Sequence, residues 1–106
     1  MNLSNRLPLT ETTFLILLVL RVPSHGYAVM QKAEEMSDGR VRIAAGTMYG
    51  ALENLVKQKL IETVPSDDAR RKLYRITSLG SDLLAQEAQR MDTLVACYRK
   101  EIEGKQ

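Results

Sequence analysis

Apolar residues follow helical spacing along most of the chain, and the longest segment in which they alternate with polar residues lies between positions 61 and 77. The continuous apolar run Phe14–Leu20 predicts a helix that is buried over most of its circumference. Thr10 is a suitable N-cap for this helix, because its hydroxyl can accept from a free backbone N–H of the first turn. The helix is expected to end near Val22, since the next residue is proline.

Two further helices are predicted before the alternating segment. The second runs over about His25–Met36, with Ser24 as its N-cap. The residues Arg40-Val41-Arg42-Ile43 (40–43) alternate and predict a short extended connector. The third helix is expected from Thr47, which can act as its N-cap, to Lys59.

The alternating segment predicts a β-hairpin. Its strands are expected at Ile61–Val64 and Leu73–Thr77. The intervening loop, residues 65–72, begins with Pro-Ser-Asp-Asp, a composition typical of turns. The hairpin follows directly after the third helix.

A long helix is predicted from Ser78 to about Glu103. Apolar residues recur along it at alternating intervals of four and three, which is the seam of a coiled coil. Such a narrow seam favours a second copy of the chain as partner, although packing within the chain remains an alternative. The residues predicted for the dimer interface are Leu84, Ala88, Met91, Val95, Tyr98 and Ile102.

The order of helix, helix, helix and hairpin predicts a mainly α fold with a small β-hairpin. This is a winged helix-turn-helix, followed by a long C-terminal helix. The expected division is a DNA-binding domain over residues 1–77 and a dimerisation helix over residues 78–106. In a winged helix the third helix enters the major groove of DNA and the hairpin, or wing, contacts phosphate or the minor groove.

The third helix and the hairpin carry residues suited to these roles. Thr47, Tyr49 and Asn54 can donate or accept hydrogen bonds to phosphates or base edges. The run Arg70-Arg71-Lys72-Leu73-Tyr74-Arg75 (70–75) places four basic residues in the wing. Each phosphate that a cation neutralises strengthens binding to DNA. A hairpin edge charged against aggregation is the alternative for this run.

Charge is unevenly distributed. The net charge is only +2, but residues 40–77 hold eight Lys or Arg against four Asp or Glu, a local +4. The chain has one cysteine, Cys97, so no intrachain disulfide can form, and we expect a cytoplasmic protein. A single histidine and a single cysteine predict neither a structural zinc site nor a catalytic constellation. The sequence therefore predicts neither an enzyme nor a bound cofactor.

Five segments of the chain carry a family resemblance: 14-FLILLVL-20, 25-HGYAVMQ-31, 46-GTMYGALENL-55, 59-KLIE-62 and 71-RKLYRITSLG-80. Together they resemble the PadR-type transcriptional regulators of the short form, which have one C-terminal helix. The resemblance implies a homodimeric repressor on double-stranded operator DNA, released by a small-molecule effector whose identity it does not give. It also implies DNA contacts by His25, Thr47, Tyr49 and Gly50, and by the wing residues Arg70, Arg71 and Lys72.

Two other functions remain open at the level of the sequence. The first is a winged-helix adaptor that binds proteins and not DNA. Its third helix would expose apolar residues, and its wing would not need three consecutive cations. The second is a ligand sensor whose main site lies at the dimer interface. Operator sequence and regulated genes do not follow from composition, because specificity depends on detailed groove contacts.

Overall fold

The computed structural model of the chain describes residues 4–68 and 71–104. It is a winged helix with a long C-terminal helix, as predicted. No helix in the described ranges is both long and apolar enough to cross a membrane. After a short 3-10 turn, Ser4–Arg6, the elements are α1 (Glu11–Val19), β1 (Ser24–His25), α2 (Gly26–Met36), α3 (Ala45–Lys57), β2 (Ile61–Val64), β3 (Leu73–Ile76) and α4 (Ser78–Glu103).

The hairpin belongs to a three-stranded antiparallel sheet, which the sequence did not predict. The strand order is β1-β3-β2, so the central strand is β3. Ser24 pairs with Tyr74 and His25 with Leu73. A two-residue strand is too short to show alternation, and only the fold brings it beside β3. The prediction that Ser24 caps α2 is therefore wrong, since Ser24 lies in β1.

The ends of α1 and α2 follow local hydrogen bonding. Thr10 caps α1, accepting from the N–H of Thr13 at 3.1 Å. The helix ends three residues before the expected Val22, because its last turn tightens into i→i−3 bonds ahead of the proline. At the end of α2, Asp38 and Gly39 both have positive φ, 56° and 82°. Their N–H groups bond back to the last turn and form a Schellman motif.

The start of α3 differs from the prediction. Ala44 is its N-cap, and the carbonyl of Ala44 accepts from the N–H of Met48 at 2.9 Å. Thr47 is thus the third residue of the helix and not its cap, and Gly50 is the sixth. Met48 and Leu52 are buried, whereas the three helical residues before Met48 are exposed. The helix begins without a side-chain cap.

The core lies between the three N-terminal helices, the sheet and the first turns of α4. It is aliphatic apart from Tyr74, whose ring is 4% exposed. Each helix packs one apolar side into this core, and this packing fixes the orientation of α2 relative to α3. The central core residues are Ile16, Leu17, Leu20, Val29, Met48, Leu52, Leu55, Leu60, Ile61, Tyr74, Leu83 and Leu84.

The first turns of α4 are part of this core. Thr77 caps the helix, accepting from the N–H of Gly80 at 3.1 Å, and its own hydroxyl donates to the carbonyl of Lys59 at 2.6 Å. Leu83 and Leu84 are buried. Leu84 was predicted at the dimer interface, but the structure buries it in the core of its own chain. It closes the domain and is not available as an exposed seam residue.

A buried carboxylate ties the N-terminal segment to α4. The Glu87 side chain is 1% exposed and accepts from the backbone N–H of Leu9 at 2.8 Å. Arg90 donates to both of its oxygens, at 2.5 Å and 3.0 Å. The hydrogen bonds from Arg90, with that from Leu9, hold the pKa of Glu87 below its ordinary value although burial opposes this.

Candidate nucleic-acid interface

The first turns of α2 and α3 and the base of the hairpin enclose an open cleft of 590 Å³. Cations and hydrogen-bonding groups line it, and its walls come from three separate parts of the sequence. The lining residues are His25, Gly26, Tyr27, Gly46, Tyr49, Gly50, Glu53, Arg71, Lys72 and Tyr74.

The α3 wall of the cleft carries two glycines in its first two turns. Gly46, Gly50 and Glu53 follow one another at spacings of four and three, so they lie on one side of the helix. A Cβ built on Gly46 or Gly50 would meet no atom within 4 Å. Packing inside the chain therefore does not require glycine at either position. The backbone of α3 is open to a partner that approaches from this side.

Tyr49 lies across the first residue of α2. A Cβ added to Gly26 would be 2.7 Å from Cε1 of the Tyr49 ring. With the ring in this position, where it remains 49% exposed, only a glycine fits at position 26. The glycine of the His-Gly-Tyr segment and the tyrosine of α3, 23 positions apart in the sequence, thus fit together. Tyr49 forms part of the cleft wall instead of projecting freely from the helix.

Tyr74 lies below this wall. Burial raises the pKa of the Tyr74 hydroxyl, and the nearby Tyr49 and Glu53 add to the effect because negative charges there disfavour the phenolate. The hydroxyl therefore remains protonated over the ordinary pH range. The base of the cleft presents neutral tyrosine to any anion that enters.

The base of the wing is joined to β1 by a side chain. Nδ1 of His25 lies 2.9 Å from the carbonyl oxygen of Lys72. Arg75, further along β3, forms an ion pair with Glu62 of β2 at 2.8 Å. In the described part of the chain, no ion pair engages the exposed side chains of Arg71 and Lys72. These two cations are therefore available to a partner, whereas the charge of Arg75 is already balanced.

The structure brings five of the predicted DNA-contacting residues to this cleft. They are His25, Tyr49, Gly50, Arg71 and Lys72. The sixth, Arg70, lies outside the described residues. Whether any of these residues contacts DNA remains a prediction.

Two predicted residues lie outside the cleft. Thr47 is exposed on the neighbouring side of α3. Asn54 lies in a separate groove beside the N-terminal segment, where its Oδ1 accepts from Nε2 of Gln58 at 2.6 Å. Both stand at the edge of the exposed face of α3. Contacts by these residues would require DNA to extend past the cleft.

Five lining residues were not among the predicted DNA contacts: Gly26, Tyr27, Gly46, Glu53 and Tyr74. Gly46 could have been found from its spacing to Gly50 on one helix face, but the predicted helix began after it. Tyr27 is 60% exposed at the cleft rim. The connector cations Arg40 and Arg42 pair with Glu11 and Glu34. These pairs place both arginines away from the cleft.

A second exposed surface lies along the distal part of α4. From Ala88 onward its residues are exposed except for the partly buried Arg90. The exposed apolar residues continue the side of the helix that carries Leu83 and Leu84 in the core. We call this surface the α4 stripe; it consists of Ala88, Met91, Leu94, Val95, Tyr98 and Ile102. Leu94 was not among the predicted interface residues.

All His, Cys, Asp and Glu residues of the chain lie within the described ranges. No group of three or more of these described side chains is arranged to hold a metal ion. Cys97 is exposed on α4, next to Tyr98 of the stripe.

Comparison with known proteins relates the whole fold to one family. The model of the family described as "Transcriptional regulator PadR-like family" matches residues 15–86. An uncharacterised protein X of Lysinibacillus sphaericus is 31% identical over 77 residues, covering 70% of this chain and 71% of that protein.

Solved structures agree in fold. A PadR family transcriptional regulator from Eggerthella lenta is 27% identical with a TM-score of 0.69, covering 88% of this chain and 82% of the other. A PadR-like transcriptional regulator from Bacillus cereus has a TM-score of 0.71 at 24% identity, covering 88% and 92%. The residues matched by the family model, 15–86, extend from within α1 to the first turns of α4.

Proposed function

This chain belongs to the PadR-like family of transcriptional regulators, and we propose that it is a homodimeric repressor that binds operator DNA through the cleft. Family membership supports DNA binding and transcriptional regulation. The finer elements of the proposal are the repressor activity, the dimer and the residues that contact DNA. Release by a small-molecule effector is a further element, and it rests on the family resemblance alone.

The observation that carries the proposal is the exposed, glycine-bearing side of α3 beside two available cations. A major groove about 12 Å wide accepts a helix, and it does so most closely where side chains are small. Gly46 and Gly50 provide such a surface. Arg71 and Lys72 stand at the edge of the same cleft, where phosphates beside the groove would lie. The adaptor alternative is disfavoured, because an adaptor would expose apolar side chains on this face.

The α4 stripe supports the dimer. It continues the apolar side of a helix of 26 residues, about 39 Å long at 1.5 Å per residue, beyond the end of the domain. A second copy related by a two-fold axis would cover the same stripe on both chains. Two α3 helices in such a dimer could meet successive major-groove faces about 34 Å apart. Each half-site would then contribute to affinity.

Replacing Gly50 with alanine should separate stability from DNA binding. Alanine is favoured over glycine inside a helix by about 0.5–1 kcal/mol, and the added methyl group meets nothing in the chain. We expect Gly50→Ala to be more stable by about that amount. Binding to a duplex selected by the protein from a random pool should weaken about tenfold, the equivalent of ~1.4 kcal/mol. Thermal unfolding and fluorescence anisotropy measure the two effects.

A suitable control for Gly50→Ala is Ser81→Ala. Ser81 is exposed on α4 and lies outside the cleft. The control also improves helix propensity, but it should leave affinity unchanged. If Gly50→Ala binds the duplex as tightly as the wild type, α3 does not approach DNA by its glycine face.

Removing the two wing cations tests the DNA interface itself. Arg71→Ala combined with Lys72→Ala should weaken duplex binding, because up to four phosphate contacts per dimer disappear. The slope of log K against log salt should become shallower by about 0.9 for each lost contact. Anisotropy titrations at several salt concentrations give this slope.

The matched control for the wing variant removes the same charge elsewhere. Lys32 and Lys100 are exposed, and neither lines the cleft. Lys32→Ala combined with Lys100→Ala should therefore change the slope only slightly. Equal slopes for the wing variant and the wild type would refute a wing contact with the DNA backbone.

A further inference from the structure

His25 is held against the wing by two independent links. Its backbone pairs with Leu73 in the β1–β3 ladder, and Nδ1 of its ring lies 2.9 Å from the carbonyl oxygen of Lys72. A carbonyl oxygen can only accept a hydrogen bond, so Nδ1 must carry the proton. The hydrogen-bond acceptor of Nδ1 thus determines whether Nε2 of the neutral ring carries a proton.

The second ring nitrogen, Nε2, has a limited role while the ring is neutral. With the proton on Nδ1, a neutral imidazole offers only a lone pair at Nε2. The oxygens of a phosphodiester likewise only accept hydrogen bonds. A neutral His25 held in this way therefore cannot donate to a phosphate. A hydrogen bond from Nε2 requires a second proton on the ring.

We propose that His25 binds an operator phosphate as the imidazolium ion, so that each half-site takes up one proton when DNA binds. This inference rests on the proposed function and specifies how one residue of the interface works. The proton joins Nε2 and is donated to a phosphate oxygen, while Nδ1–H remains bonded to Lys72. The ring then links the DNA backbone to the wing.

The surroundings of His25 identify what would change on binding. The charged groups that line the cleft with His25 are Glu53 on α3 and Arg71 and Lys72 at the base of the wing. These fixed charges are present with or without DNA. A phosphate at Nε2 adds a new negative charge beside the ring, so proton uptake is tied to the DNA. The remaining titratable groups that line the cleft are Tyr27 on α2, Tyr49 on α3 and Tyr74 on β3.

The coupling between DNA binding and proton uptake can be measured, because the sequence has few groups that titrate near neutral pH. His25 is the only histidine of the chain. Histidine is the side chain whose ordinary titration falls between about pH 5 and 8. The affinity for a fluorescent duplex selected from a random pool should therefore rise as pH falls through this range. The rise should approach tenfold per pH unit for each engaged His25, until the ring is protonated in the free protein as well.

Two substitutions separate the two ring nitrogens. In His25→Asn, the amide nitrogen lies near the position of Nδ1 and keeps the bond to Lys72, but nothing reaches the phosphate. This variant should bind more weakly and without pH dependence. In His25→Gln, the amide nitrogen reaches about as far as Nε2 and donates without taking up a proton. It should also be independent of pH, yet bind more tightly than His25→Asn at pH 8.

Anisotropy titrations across the pH range, with circular dichroism to confirm folding, distinguish the outcomes. A pH dependence that is the same in the wild type and in His25→Asn overturns the proton-linked contact but leaves DNA binding intact. Absence of pH dependence in a wild type that binds DNA overturns it as well. Failure of the folded wild type to bind any duplex at any pH overturns the proposed function, and the role of His25 with it.

Discussion

Gly80→Ala is expected to destabilise the fold by about 3 kcal/mol or more, which makes it one of the most damaging single-methyl additions in the chain. A Cβ on Gly80 would lie 2.1 Å from the backbone carbonyl oxygen of Leu60 and 2.8 Å from Cγ1 of Ile76. The carbonyl of Leu60 cannot move away freely, because it accepts from the N–H of Thr77 at 3.0 Å. The start of α4 must shift off the sheet to relieve the contact.

Thermal unfolding at fixed protein concentration measures this effect. For a domain of this size the midpoint should fall by roughly 12 °C or more. Gly50→Ala is the matched control, since it makes the same chemical change in a helix where the new methyl group meets open space. The two variants should move the midpoint in opposite directions. A Gly80→Ala protein as stable as the wild type would show that α4 does not pack this closely on Leu60.

The role of Gly80 illustrates what the sequence could predict and what it could not. The caps and periodicity around it predicted that α4 begins near Ser78, and the helix does begin there. The close approach of a helix to a carbonyl 20 positions earlier depends on the packed fold. Glycine next to a helix start indicates a special position, but it does not identify the atom that requires it.

The start of α3 shows where local signals mislead. Thr47 is a better N-cap than Ala44 by side-chain chemistry. The helix nevertheless begins at Ala45, so Gly50 is its sixth residue. A glycine there bears the full helix-interior cost. Its presence is thus better explained by what approaches the helix than by the helix itself.

The cleft depends on contacts between distant segments, so the sequence could predict its members more readily than its geometry. His25, Tyr49 and the wing cations were named from the sequence as separate candidates. The packing of Tyr49 on Gly26 and the bond from His25 to Lys72 emerge only when α2, α3 and β3 meet. The same limitation applies to Asn54, whose side chain lies in a different groove; its contact with DNA stays a prediction.

Introducing charge into the α4 stripe should convert a dimer into a monomer and sharply reduce operator binding. In Val95→Glu combined with Tyr98→Glu, two carboxylates per chain replace side chains that are 45% and 63% exposed. Burying them against the same residues of a second copy would place like charges together without partners. Sedimentation should show a dimer for the wild type and a monomer for the variant. Affinity for a two-half-site duplex should fall about 100-fold or more, because the linked second half-site is lost.

The location of the substitutions matters for this test. Truncating α4 near its start would remove Leu83 and Leu84 from the core and unfold the domain, so loss of the dimer would be uninformative. The two stripe positions lie beyond the core, so the monomer should retain its fold and its thermal unfolding transition. Thr93→Glu combined with Ala96→Glu adds the same charge to the other side of the helix and should remain dimeric. A dimer that survives in the stripe variant would place the interface elsewhere, and a monomer that keeps full affinity would remove the need for a dimer in operator recognition.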